Sequence, residues 1–414
     1  MTASIPTLVS YHDSNHHDGA HNADHPGWHQ HAIDRWFILY QPTFPVLQDQ
    51  TQFEGFGEPV HPLLRSALLL AIYSITFRSR TDEKIDALLA EQLLSRYNRG
   101  LARERARNLD DRLAHLQVTM LLAIEADQRG YEVATSVHTV GFWLGQATGE
   151  AYDMKLHRED FSAAGPAQAL LGRKLFLILI VLDRWHSVST SSPPFVADTN
   201  AKFDIEMSFS GITNHLYHLS LVVGDVYQTI MTPRQHAHDA ALTAVGLKAE
   251  IENWRERVDV IWGQSNLLHV AYWHLCILSL LSTSTDISEV SNLRDVALRM
   301  ASTLPNSATP YTPLNHHFYA LTTCVLSYLL NFDEARQDAR KGLHDLREAI
   351  QRHKDLVEED ECSWDAKLLE VIGRLQASCS TSEACGRSAD SRMLLSSIRH
   401  SGYLLSIDSA ALFL

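Results

Sequence analysis

The stretch Ala335-Arg-Gln-Asp-Ala339-Arg-Lys-Gly-Leu343-His-Asp-Leu346-Arg-Glu-Ala-Ile350-Gln-Arg-His-Lys-Asp-Leu-Val357 carries the plainest structural signal in the chain. Ala339, Leu343, Leu346, Ile350 and Val357 recur at steps of four, three, four and seven. That spacing lines up one apolar stripe on a helix of 3.6 residues per turn. Glu348 and Arg352 stand four apart on the polar side, where an opposite-charge pair supports the helix. Working outward, apolar-periodic segments follow one another at 62–77, 83–107, 112–126, 172–188, 215–231, 240–260, 266–281 and 314–331. Pro193-Pro194 and the stretch 305–313 mark loops. Alternating patterns of four to eight residues, the mark of a strand, are nearly absent, so the expected fold is all-α: a multi-helix globular domain. No repeat period emerges. Residues 329–350 faintly resemble one helix-turn-helix unit of a solenoid, and one unit is not a repeat.

This reading divides the chain into three parts. Residues 1–32 are a histidine-rich lead, expected to be disordered because apolar residues are too sparse to repay ordering entropy. Residues 33–375 are the helical body. Residues 376–414 are a serine-rich segment and a C-terminal tail that either stays loose or docks as a final helix. In the lead, His17, His21, His25 and His29 stand four apart, a spacing that lets two imidazoles on a helix share one metal ion. Pro26 and Gly27 interrupt that helix and Gly19 weakens it, so the tract reads as polar and unstructured.

The charges set bounds on function. With 35 Lys and Arg against 49 Asp and Glu, the net charge is −14. That balance argues against a chain that coats nucleic acid on its own. The longest apolar run, 175–182, is far short of a membrane span, and the polar N-terminus shows no signal peptide. Five cysteines, Cys276 to Cys385 with no Cys-x2-Cys pair, form neither a disulfide framework nor a zinc motif. They read as buried or loop thiols in a reducing compartment. An intracellular, acidic globular protein is the expectation.

Catalytic patterns fail one by one. Gly55-Phe56-Gly57 lacks the third glycine of a dinucleotide fingerprint, and neither a phosphate-cradling loop nor a Gly-x-Ser-x-Gly elbow occurs. Asp110-Asp111 is followed by Ala114 where diphosphate-metal chemistry wants another carboxylate. No catalytic residue, cofactor or metal is therefore expected. Arg96, Arg99, Arg103, Arg105 and Arg107 read as the solvated face of a helix, paired with Glu91, Glu104, Asp110 and Asp111. Gly141, Gly145 and Gly149, one turn apart, clear a stripe on which another helix is expected to pack.

Several segments carry a family likeness. Gly145-Gln-Ala147-Thr-Gly-Glu-Ala151-Tyr-Asp153-Met-Lys-Leu156-His157-Arg158 resembles a hallmark of the fungal-specific transcription factor domain. That domain is the large helical middle region of fungal binuclear zinc cluster regulators. The hallmark reads Gly-x-Ala-x-Arg-x-Ala-x-Asp-Leu-Gly-Leu-His-Arg; this chain has Gly149 for the basic residue, Met154 for leucine and Lys155 for glycine. The segment 172–185, ending Leu182-Asp183-Arg184-Trp185, is similar to the family's basic-aromatic helix, though the Gly-Arg pair that usually follows is replaced around Ser191-Ser192-Pro193. Residues 36–47 resemble the domain's aromatic opening and 116–122 its Val-Gln-Ala-Leu-Leu-Leu helix; Leu219-Ser220, Gly224, Val226-Tyr227 and Trp254 fit as well. The likeness spans about residues 33–285 and weakly on to about 375.

The resemblance implies a regulator of a metabolic or secondary-metabolite gene set, acting in the nucleus, with the cytoplasm as the alternative. Its implied partners are other transcription regulators or coactivators, a small-molecule effector and a second copy of the chain. The family's six-cysteine DNA-reading cluster does not precede Ile33, so direct DNA binding is not part of the expectation. Gly145, Asp153, His157, Arg158, Asp183 and Arg184 are the implied motif residues, serving either a structural network or an effector contact. Asp183-Arg184 should be a buried pair at a helix end, with His157-Arg158 either its partner side or a helix C-terminal cap. Two other readings remain open: a scaffold that modulates a full-length zinc cluster regulator, and an all-α enzyme of unrecognised type.

Overall fold

A computed structural model of the chain describes residues 26–50, 53, 60–77, 83–101, 108–129, 138–158, 161, 165–198, 211–231, 237–283, 290–306, 309–357, 363–381, 396–397 and 400–410. Among these residues there are fifteen helices and no strand. They are α1 (Gln30–Leu39), α2 (Pro62–Thr76), α3 (Glu83–Leu101), α4 (Leu109–Arg129), α5 (Val140–Asp153), α6 (Pro166–Thr190), α7 (Ile212–Met231) and α8 (Ala237–Arg257). Then come α9 (Asp259–Trp262), α10 (Asn266–Thr283), α11 (Val290–Thr303), α12 (Asn315–Leu329), α13 (Asp333–Val357), α14 (Trp364–Thr381) and α15 (Tyr403–Ala410).

The helices begin and end where local chemistry dictates. Pro62 and Pro166 occupy first-turn positions, where a missing N–H is no loss. Thr139 caps α5 by accepting the Phe142 amide through its hydroxyl. Asn108 accepts the Asp111 amide at 2.6 Å, and Asp110 and Asp111 lie at the positive end of the α4 dipole. Helix α13 buries Ala335, Ala339, Gly342, Leu343, Leu346, Ala349, Ile350 and Val357, the stripe that the spacing foretells.

Two helices form the interior. From Leu175 to Thr190 every residue of α6 is buried, and so is every residue of α12. A helix apolar on all sides must be wrapped on all sides. Helix α6 packs against α4, α5, α7 and α15, and α12 against α10, α11, α13, α14 and α15. Trp185 of α6 meets Phe318 of α12 edge to face at 5.3 Å, so the two spines share one core.

The segment expected at 240–260 is broken at Val258, which separates α8 from α9. Helices α11 and α14 were not foreseen. The tail does dock: α15 lies against α12 and α6. Gly402, with φ +80°, makes this approach feasible, since a Cβ there would stand 2.1 Å from the Ser189 carbonyl oxygen. Arg96 and Arg99 are exposed on α3, as a solvated face requires. Residues 1–25, Arg103, Arg105 and Arg107 lie outside the described residues.

Candidate functional site

Asp183 and Arg184 lie about two turns inside the C-terminal end of α6, not at the helix end as expected, and face the loop that follows, residues 191–198. Asp183 and Arg184 both have under 2% exposure. Asp183 accepts the Phe195 amide on Oδ1 at 2.8 Å and the Val196 amide on Oδ2 at 3.1 Å. Arg184 Nη1 adds a third donor at 3.0 Å. Through Nη2, Arg184 donates to the Val196 carbonyl and to Asp198, both at 2.8 Å. The pair therefore clamps the returning loop by both backbone polarities. Burial pushes the Asp183 carboxyl up to about 6, against the opposing pull of the Phe195 amide and Arg184. It is still ionised at neutral pH, as three donors require.

Helix α7 is shaped to this pair. A Cβ on Gly224 would stand 2.9 Å from Arg184 Nε and 3.0 Å from Cδ, so only glycine leaves room for the guanidinium. One turn earlier, Ser220 accepts the Trp185 indole N–H at 3.0 Å. Trp254 of α8 donates to the His215 carbonyl of α7 at 3.2 Å. Each of these residues belongs to the family likeness, and each holds a helix or an α6 side chain in place.

The first motif reaches the same loop from the other side. Gly145 faces the Phe195 ring, which a Cβ would meet at 3.4 Å, and Gly141 lies near the same ring. The glycine stripe thus receives a loop aromatic and, at Gly141, the His186 side chain of α6, which a Cβ would meet at 3.8 Å; Gly149 faces open space. The Tyr152 hydroxyl accepts the Ala197 amide at 3.2 Å. Helix α5 closes in a Schellman motif: the Leu156 amide donates to the Ala151 carbonyl and the Lys155 amide to the Tyr152 carbonyl. Lys155 sits at the left-handed position, φ 60°, where the family pattern has glycine. His157 packs edge-on to Tyr152 at 5.0 Å. Asp153 and Arg158 are exposed. His157 and Arg158 do not supply the partners of Asp183; the loop amides and Arg184 do. The two motifs meet through the loop, by Phe195, Ala197 and Tyr152.

Chemically this arrangement binds and orients backbone. Both carboxylate oxygens are spent on internal donors, so the clamp offers no free acid or base to a substrate. Sequence reading missed Phe195, Val196 and Asp198, because the departure from Gly-Arg-Pro hid the clamped loop.

Two other places are chemically distinct. A cleft of about 610 Å³ on α8, α9, α10 and α11 is walled by Trp262, Tyr272 and Trp273, with Arg255 and Arg299 over the indole faces at 4.2 and 5.1 Å. Glu252, Glu256 and Asp259 share it, so it is aromatic and charged, and none of the motif residues lines it. Deeper in the molecule, Asp127 of α4 meets His316 and His317 of α12, a cluster that the sequence reading did not single out. Asp127 Oδ2 lies 3.3 Å from His316 Nε2 and 3.1 Å from His317 Nε2. Burial raises the Asp127 carboxyl, yet the two imidazoles overrule it and hold it below the usual carboxylate range. The thiols of Cys276 and Cys324 are pushed up to about 12 by burial, inert as expected.

No family model matches the chain, and no solved structure does so significantly. The chain is 34% identical over 367 residues to an uncharacterized transcriptional regulatory protein of Schizosaccharomyces pombe. The match takes in 83% of this chain and 41% of that protein, so the chain spans less than half of its relative's length.

Proposed function

We propose that the chain is a transcriptional regulator that controls a metabolic or secondary-metabolite gene set from the nucleus, acting through its helical body. The observation that carries this reading is the 34% identity to a transcriptional regulatory protein across 83% of the chain. The packing adds support: Gly145, Asp183 and Arg184 of the fungal-specific transcription factor pattern all meet the loop 191–198, while Asp153 and Arg158 stay at the surface. The relative's name favours a regulator over an enzyme. The mechanism is a partner- or effector-biased equilibrium between arrangements of the helices, without covalent chemistry. Coactivators or other transcription regulators are its partners, and a zinc cluster regulator is the one that a scaffold role would require. The aromatic and charged cleft on α8 to α11 is the candidate effector site.

Deleting the coding sequence and profiling transcripts tests the gene-set claim. A coherent change in a group of metabolic or biosynthetic genes is expected; an unaltered transcript profile across growth conditions overturns it.

A further inference from the structure

We infer that Asp127, His316 and His317 form a binding site for a zinc-class divalent cation, buried where α4 and α12 meet. The three side chains are 12%, 5% and 0% exposed. Their ligand atoms all lie within 4.8 Å of one another. Zinc–nitrogen and zinc–oxygen bonds of about 2.0–2.1 Å set neighbouring ligand atoms of a tetrahedron about 3.3 Å apart. Asp127 Oδ2 stands 3.3 and 3.1 Å from the two Nε2 atoms, at that separation.

A hydrogen-bonded cluster explains only part of this geometry. His317 is satisfied on both nitrogens, by Asp127 through Nε2 and by the Tyr403 hydroxyl through Nδ1 at 3.0 Å. His316 is not. Its Nε2 is buried, sits beside the same carboxylate oxygen, and makes no hydrogen bond. A buried ring nitrogen within 3.3 Å of a carboxylate oxygen, yet out of line for a hydrogen bond, is what a shared cation accounts for, because the lone pair is then used on the metal. Two imidazoles and one carboxylate are the donor set of three-ligand zinc sites and of related divalent-cation sites.

The surroundings supply the supports that such ligands need. Tyr403 fixes the His317 ring through its second nitrogen, the Trp364 indole donates to the Asp127 carbonyl at 2.9 Å, and the Trp364 ring lies parallel to His316. A small cleft between Gln128, Asn315, His316 and Trp364 adjoins the His316 side of the cluster and has room for about one water. A cation here would tie α4 to α12, and through Tyr403 and Trp364 it would tie in α14 and α15. Its role is to fix the C-terminal helices onto the core.

The test uses the full chain, stripped with chelator and titrated with zinc chloride, with bound zinc measured by mass spectrometry after gel filtration. Because the lead histidines are metal-ligating side chains that can compete for zinc, a variant carrying His17→Gln, His21→Gln and His25→Gln runs beside the wild type. About one zinc per chain stays with that variant and is lost from its further variants His316→Gln and Asp127→Asn. No retained zinc, or zinc retained equally by His316→Gln, overturns the site. Should the core variants fail to fold, thermal melting of the lead-substituted chain decides. Zinc raises its midpoint if the site exists, and an unmoved midpoint overturns it.

Discussion

Removing the Asp183 carboxylate would strand three donors at once, the Phe195 and Val196 amides and the Arg184 guanidinium. Breaking a buried pair from one side costs about 3–5 kcal/mol, so Asp183→Ala should lower stability by that much in denaturant titration. A loss under about 1 kcal/mol would contradict the clamp. The pair also has a pH signature. The folded carboxyl is raised to about 6 from 3.8, so the folded state holds that proton more tightly, and this proton-linked part of the stability is full below 3.8 and is lost as pH rises to about 6. Stability of the wild type relative to Asp183→Asn should therefore fall between those two values; a flat difference would refute the raised value. Lys155 makes the opposite case. It holds a left-handed conformation that glycine takes freely, and Lys155→Gly should raise stability by about 1 kcal/mol, read as a higher melting temperature.

At the scale of elements, the tail is the sharpest case. Helix α15 reaches α6 and α12 only because Gly402 lets the backbone lie against Ser189. Gly402→Ala should undock it, and the amides of α15 should then exchange with solvent about tenfold faster or more, while those of α6 do not. Equal exchange in both proteins would show that the tail docks without the glycine. The same scale shows what the sequence made legible. Strongly periodic segments such as α13 were readable because one face is buried and the other solvated. Helix α6 was readable as a continuous apolar run ending in Asp183-Arg184. Helices α11 and α14 were missed: α11 was passed over despite its buried face, and α14 opens in a stretch where charges and a cysteine interrupt the pattern. The site was half legible. Likeness to a family pattern marked Gly145, Asp183 and Arg184, but no local pattern marks the loop that they hold. Asp127 and His316 stand 189 positions apart, and only the fold brings them together.

For the whole molecule, the net charge of −14 is a surface property, since the buried ionic groups described here are paired within the core. No helix among the described residues is long and apolar enough to cross a membrane. The core runs unbroken from α1 to α15, so the motif clamp, the histidine cluster and the tail belong to one packed body. In that body α6 holds the loop, while the cleft on α8 to α11 stands apart from it. The central claim is that this body regulates transcription. Its most direct test joins the chain to a heterologous DNA-binding module and measures transcript from a reporter carrying the module's site. The account predicts a reproducible rise or fall relative to the module alone. A folded fusion that occupies the site and leaves the transcript level unchanged would contradict it.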